Sequence, residues 1–355
     1  MPFDPNAPAS LSSGIFGLPH TAEEAKLHLL PVPWEATTSY GGGTSEGPAA
    51  ILEASKQVDL YDLDIEKPYE PGIFLLPAPE GLEAWNVEGK GLAQKIIARG
   101  GETGDDPELL RALARVNELS GKVNDAVMAA SLRVLESGKL LALVGGDHAV
   151  PFGAIKAVAK NEKSFGILHF DAHSDTRDAY EGFQYSHASI LRNVLDEVPE
   201  VTGLVQVGIR DVCEEEMAYC AAQGPRVTMF TDRDVARRKM HGEAFASIAT
   251  TIVEKLPNRV WISFDIDGLD PRFCPHTGTP VPGGLDLAEA VFLMSEVVRS
   301  GRTILGFDLN EVSPGPIDSE AASEGDSWDA NVGARLLYKM AGFLFASRGL
   351  VKLFP

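Results

Sequence analysis

The stretch Phe165-Gly166-Ile167-Leu168-His169-Phe170-Asp171-Ala172-His173-Ser174-Asp175 is an apolar run that ends in three metal-ligand types at alternate positions. In extended backbone alternate side chains point the same way, so Asp171, His173 and Asp175 converge on one point at a strand end. Two further runs end alike. Trp261-Ile262-Ser263-Phe264 leads into Asp265-Ile266-Asp267. Leu140-Leu141-Ala142-Leu143-Val144 leads through Gly145-Gly146 to Asp147-His148, and the glycines read as a tight turn that delivers the imidazole to the strand end. Open α/β sheets hold their ligands at the carboxyl ends of their strands, which is where all three clusters fall. One isolated Asp-x-His-x-Asp reads equally well as a turn or a cap; three such runs read as a metal site. Four aspartates and two imidazoles in one pocket carry a negative charge that calls for cations, and two divalent ions supply it. Carboxylate and imidazole without thiolate favour manganese ahead of nickel, cobalt, iron or zinc.

The remainder of the chain alternates in the same way. Short apolar runs recur at His28 to Val32, Gly72 to Leu76, Leu204 to Ile209, Val227 to Phe230 and Thr303 to Phe307, besides the three already named. Helical patterns separate them. The clearest is Pro107 to Ser137, where Leu109, Leu110, Leu113, Val116, Leu119, Val123, Val127 and Leu132 recur at helical spacing. Strands alternating with helices predict an α/β fold with a mostly parallel central sheet flanked by helices on both faces, three layers in all. Residues 26–355 read as a single catalytic domain, and residues 1–25 as an N-terminal extension.

Composition narrows the function classes. A net charge of −20 leaves no basic face for nucleic acid or an anionic membrane, and suits a cationic small molecule. No apolar stretch approaches the length of a bilayer span, and Met1 to Ser13 lacks a basic region followed by an apolar one, so the expected location is the cytoplasm. Three cysteines, Cys213, Cys220 and Cys274, are too scattered for a disulfide framework or a zinc knuckle.

The clusters also carry a family likeness. Gly145-Gly146-Asp147-His148, Phe170-Asp171-Ala172-His173-Ser174-Asp175 and Ser263-Phe264-Asp265-Ile266-Asp267-Gly268-Leu269-Asp270-Pro271 resemble the three signature blocks of the ureohydrolases, which include arginases and agmatinases. Thr277-Gly278-Thr279-Pro280 and Gly283-Gly284-Leu285 follow the third block as they do in that family. Gly306-Phe307-Asp308-Leu309-Asn310-Glu311-Val312 resembles its late strand, which ends in a guanidinium-binding glutamate. Val32-Pro33-Trp34-Glu35 and Gly43-Thr44-Ser45-Glu46-Gly47-Pro48 look like its opening strand and loop. The likeness spans about residues 27 to 350 and is nearest, in its loop motifs, to bacterial agmatinases.

What the resemblance implies is a binuclear metal centre that hydrolyses a guanidino compound to urea and an amine. Asp171 and Asp265 would bridge the two ions, with His148 and Asp175 completing one site and His173 and Asp267 the other. Glu311 would hold the guanidinium by a charge-assisted pair. His187, in Tyr185-Ser186-His187-Ala188, matches the family's proton shuttle, and an ordinary imidazole titrates near neutrality; the competing reading is a surface histidine capped by Ser186. Asp147 reads as a partner for the His148 ring, Asp270 as a turn residue and His169 as a core or supporting group. The family often forms trimers or hexamers, which implies a homo-oligomer.

Substrate choice rests on two departures. Asp175-Thr176-Arg177-Asp178 is unlike the arginase loop, and Cys213 stands where arginases carry an aspartate for the substrate's α-amino group. Both point away from arginine and towards agmatine. Arg177 instead suits a guanidino acid, unless it is spent in an ion pair with Asp178 or Glu181; free guanidine stays open as well. Two readings from other classes remain at this point: a zinc-dependent amide deacetylase with one metal, and a non-catalytic metal-binding protein of the same fold.

Overall fold

Along the strand Leu140–Gly145, Leu141 and Leu143 face one helical layer while Ala142 and Val144 face the other, so period-two alternation divides the core between two sides of one sheet. The computed structural model describes residues 3–10, 13–315 and 327–355. Its strands are β1 (Leu27–Val32), β2 (Ile73–Leu75), β3 (Leu140–Gly145), β4 (Phe165–Phe170), β5 (Val201–Val207), β6 (Val227–Phe230), β7 (Arg259–Asp265) and β8 (Thr303–Asn310). They lie in the order β2-β1-β3-β8-β7-β4-β5-β6, and every pairing is parallel. Each apolar run read from the sequence is one of these strands. Near-continuous burial along them is what a parallel sheet covered on both faces requires.

The helices are α1 (Gly47–Ser55), α2 (Leu82–Ile97), α3 (Pro107–Glu136), α4 (Phe152–Ala159), α5 (Ile190–Glu197), α6 (Glu214–Ala222), α7 (Asp232–Met240), α8 (Phe245–Val253), α9 (Leu287–Arg299) and α10 (Trp328–Ser347). α3, α4 and α5 pack on one face of the sheet; α1, α8, α9 and α10 pack on the other. α3 starts where Asp106 accepts the Glu108 N–H and Pro107 takes the first turn, a position that needs no donor. It buries Leu109, Ala112, Val116, Leu119, Val123 and Val127, while Leu110 turns outward, 45% exposed, which narrows the apolar face read from the sequence.

Of the segment read as an extension, Met1, Pro2, Leu11 and Ser12 lie outside the described residues. Ile15, Phe16 and Leu18 pack into the same core as α1 and α10, and the Phe16 N–H donates to Ser55 Oγ at 2.9 Å. β3, β8, β7 and β4 are consecutive in the sheet, so their carboxyl ends form one continuous shelf. His148, Glu311, Asp265 and Asp171 stand on it or just beyond it.

Candidate active site and metal centre

His148 Nδ1 lies 3.1 Å from Asp171 Oδ2, 3.2 Å from Asp175 Oδ2 and 3.2 Å from Asp265 Oδ2. His173 Nδ1 lies 3.4 Å from Asp171 Oδ1 and 3.1 Å from Asp267 Oδ2. Asp171 therefore gives one carboxylate oxygen to each histidine. Such spacing is that of donor atoms sharing a small cation, and it falls into two half-sites joined by Asp171. The second oxygen of Asp265 accepts the Asp267 N–H at 2.9 Å, which ties the last residue of β7 to the acid in the turn that follows it.

Charge makes the same case. Burial first, then the neighbouring Asp267 and Asp171 carboxylates, push the Asp265 pKa well above the ordinary aspartate value. Asp265 resists ionisation unless positive charge stands among these carboxylates. The donor set thus fits two divalent cations held by His148, Asp171, Asp175, Asp265, His173 and Asp267.

Supporting groups orient these side chains. Ser263 Oγ donates to Asp308 Oδ1 at 2.8 Å and stands 2.9 Å from His148 Nε2, so it accepts the Nε2 proton and leaves Nδ1 bare towards the carboxylates. Asp308 also accepts the Trp261 indole N–H and the Asn310 amide. Asp147, read as the partner of the His148 ring, accepts instead the Ala149 N–H at 3.1 Å and the Thr37 hydroxyl at 3.4 Å. Gln206 Nε2 meets His169 Nδ1 at 3.1 Å, which makes His169 Nε2 the donor to Asp171 Oδ2 at 2.8 Å; His169 supports a ligand from inside β4. The glycines before His148 are needed for close approach rather than for a turn. A Cβ on Gly146 would stand 2.0 Å from the Trp34 carbonyl, and one on Gly145 2.0 Å from Asn310 Oδ1. Asp270 Oδ1 accepts the Arg272 N–H at 3.0 Å, the turn role expected of it.

Two acids at the shelf hold left-handed backbone that non-glycine residues rarely adopt: Asp175 at φ 54° and Glu311 at φ 62°. Each costs about 1–3 kcal/mol, which the surrounding structure must offset. The Glu311 N–H donates to the Gly146 carbonyl at 2.8 Å, Thr277 Oγ1 donates to the Glu311 carbonyl at 2.8 Å, and the His148 N–H donates to Glu311 Oε1 at 2.9 Å. Glu311 Oε2 is buried and has no hydrogen-bond partner. Burial, with Asp265 and Asp147 nearby, holds this carboxyl well above the usual range. The loop bearing Thr277 is itself anchored by His276, whose N–H and ring meet Asp329 at 2.9 and 3.0 Å, a role no motif signalled.

Glu311 faces a cleft of about 150 Å³ that is also lined by His148, His173, Asp175, Asp265 and His187. Its size is below the roughly 300–1,000 Å³ of pockets for drug-sized ligands, and suits the head of a small linear molecule. His187 opens a helical turn capped by Ser186, so the capped-turn reading and the cleft-facing reading hold together. Burial, helped by His173 and His148, lowers its pKa to about 4, where the sequence had suggested titration near neutrality; it is a neutral imidazole at pH 7.

The cleft is also lined by Arg177, Tyr180, Asp211 and Glu216. Arg177 pairs with neither Asp178 nor Glu181: its Nε lies 3.7 Å from Glu216 Oε2, and its guanidinium carbon lies 4.8 Å from the centre of the Tyr180 ring. Asp178 faces Arg192 instead. Cys213 is not brought to the cleft wall. It caps α6, where its N–H donates to Glu216 Oε2, and Asp211 and Glu216 are the carboxylates that reach the lining.

Fold and site together define an α/β protein with a two-part carboxylate–imidazole metal centre beside an acidic cleft. The arginase family model matches residues 25–342, and the chain belongs to the arginase family. It is 30% identical over 329 residues to an N(1)-aminopropylagmatine ureohydrolase of Synechocystis, covering 90% of this chain and 89% of the relative. It is 33% identical to an N(1)-aminopropylagmatine ureohydrolase of Thermus thermophilus, covering 82% and 84% respectively. The agmatine ureohydrolase structure of Thermoplasma volcanium superposes with a TM-score of 0.67 at 24% identity, over 93% of this chain and 94% of that one. The chain is a ureohydrolase enzyme of the agmatinase-like kind, with the three-layer α/β fold of its relatives. Among the described residues no helix is long and apolar enough to cross a membrane.

Proposed function

We propose that this enzyme hydrolyses a linear guanidino-amine, agmatine first among the candidates, to urea and the corresponding amine. The observation that carries the reading is Glu311, a buried carboxylate that lines the same cleft as the metal cluster and whose Oε2 has no hydrogen-bond partner. A guanidinium supplies the charge and the paired N–H donors that such an oxygen lacks. When bound, two divalent ions, manganese by the hardness of the donor set, supply Lewis-acid activation of a water for attack on the guanidinium carbon. His148, Asp171, Asp175, His173, Asp265 and Asp267 hold them. Glu311 orients the planar head, and His187, neutral at pH 7, takes up a proton and passes it to the departing amine nitrogen.

The tail reading rests on charge. Asp211 and Glu216 line the cleft, and Arg177 is held by Glu216 and Tyr180, which favours a cationic tail over a carboxylate. The names of the two ureohydrolase relatives extend the class to agmatine carrying an aminopropyl group. Two half-sites joined by Asp171 weigh against a one-zinc deacetylase and against a non-catalytic metal binder. We further place the activity in the cytoplasm and in a homo-oligomer. The test is a urea assay of manganese-loaded and nickel-loaded protein on agmatine, aminopropylagmatine, arginine, a guanidino acid and guanidine. Urea from the two guanidino-amines first is the expected result; urea from none of them, with two metals bound, overturns the reading.

A further inference from the structure

The loop after β1 carries a threonine whose surroundings the metal centre does not explain. Thr37 is fully buried, and its Oγ1 accepts the backbone N–H of His187 at 3.2 Å, lies 3.5 Å from His187 Nδ1, and donates to Asp147 Oδ2 at 3.4 Å. The loop is clamped on both sides of it. The Glu35 N–H donates to Asn86 Oδ1 at 2.8 Å; the Glu35 carboxylate pairs with Lys90 and accepts the Gly43 N–H at 2.6 Å. Thr37 is thus set in place by partners on α2 and on its own loop, before any substrate arrives.

A hydroxyl has one proton to give and two lone pairs to offer. The Thr37 proton goes to Asp147, and one lone pair takes the His187 backbone N–H. What remains to face Nδ1 is an acceptor, so it matches an Nδ1–H and leaves Nε2 as the nitrogen free to exchange a proton with the cleft. Ser186 Oγ stands nearer, 3.3 Å from Nδ1, and accepts the Ala188 N–H at 3.2 Å in capping its own turn; its proton is not taken by a carboxylate as that of Thr37 is, so a Ser186→Ala variant separates the two hydroxyls.

We infer that Thr37, backed by Asp147, is a positioning residue for the proton-carrying histidine: it holds His187 in the Nδ1–H tautomer and receives that N–H when the ring becomes doubly protonated. The inference rests on the reading of His187 as proton carrier. Thr37 is not part of the cleft wall, so it acts through the ring and not on the substrate.

The experiment compares Thr37→Val, Thr37→Ser, Ser186→Ala and His187→Ala in the full chain. Thr37→Val keeps the shape and removes the hydroxyl. It is expected to lower kcat about ten- to a hundredfold, the range for losing a group that fixes a histidine's tautomer, with KM and metal content unchanged. Thr37→Ser restores most of kcat, and Ser186→Ala lowers it less than Thr37→Val does. Independently of activity, ring nitrogen shifts of the His187 imidazole in zinc-loaded protein report Nδ1–H in the parent and move towards Nε2–H in Thr37→Val. A Thr37→Val ring with parental shifts, or a serine variant as slow as the valine one, overturns the inference. If His187→Ala alone slows turnover, this inference fails and the guanidino hydrolase reading stands; if His187→Ala has no effect, both the proton-carrier role and this inference fall.

Discussion

The backbone N–H of His148 donates to Glu311 Oε1 at 2.9 Å, which ties the cleft-lining glutamate beyond β8 to the first histidine of the carboxylate–imidazole cluster beyond β3. One oxygen of Glu311 is thereby fixed, and the other is buried without a hydrogen-bond partner. The glutamate cannot swing away from the cleft without losing a buried hydrogen bond.

Glu311→Gln keeps the acceptor for the His148 N–H and removes the charge. kcat/KM is expected to fall roughly a hundredfold or more on every guanidino substrate alike, the equivalent of about 3 kcal/mol for a charge-assisted pair. The same change relieves a carboxylate held well above its ordinary pKa by burial, so the thermal midpoint should not drop. A loss confined to one substrate in the panel would mean that Glu311 reads the tail rather than the guanidinium.

Asp171 faces both histidines, whereas Asp175 faces only His148. Asp171→Ala should therefore bring bound metal close to zero per chain and abolish activity, while Asp175→Ala should leave about one ion. Metal analysis after dialysis against limiting manganese checks both. Equal losses in the two variants would contradict the bridging position, and full activity after exhaustive chelation would contradict metal dependence altogether.

The strands and the clustering of the candidate ligands were legible because each of the three clusters follows an apolar run, and both signals are local in sequence. What holds the ligands was not. Ser263 and Asp308 lie inside β7 and β8, adjacent only once the strands pair at Ser263 and Asp308, and alternation marks neither as anything but an interior polar residue. His169 reads as core for the same reason; its partner Gln206 comes from the neighbouring strand β5. Cys213 misleads in the opposite sense. Motif alignment sets it at the substrate tail, but the start of α6 turns it into a cap and brings Asp211 and Glu216 to the cleft instead.

His187 gives a pH prediction with a definite sign. Its folded pKa of about 4 lies below the ordinary imidazole value of about 6.5, so between those limits the unfolded chain binds a proton that the folded chain does not. Stability must then fall as pH drops from about 6.5 towards 4. Denaturant unfolding of metal-stripped parent and His187→Gln across that range should diverge, the variant losing less. Parallel curves would mean that His187 keeps its ordinary pKa in the folded protein.

Specificity turns on Arg177. Its Nε lies 3.7 Å from Glu216 Oε2 and its guanidinium rests on the Tyr180 ring, while Asp211 lines the same cleft. A carboxylate tail would have to compete with Glu216 for Arg177 and approach Asp211; an amine tail meets Asp211, the oxygens of Glu216 being already taken by the Thr176 and Cys213 N–H groups. Agmatine and its aminopropyl derivative should therefore exceed arginine and guanidino acids in kcat/KM. Asp211→Asn should raise KM for the amines several-fold with little change in kcat, because a tail contact made equally in ground and transition states is uniform binding. Arg177→Ala should leave the order of substrates unchanged. If a guanidino acid leads in the parent and Arg177→Ala reverses that order, the arginine is a carboxylate receptor and the substrate is an acid.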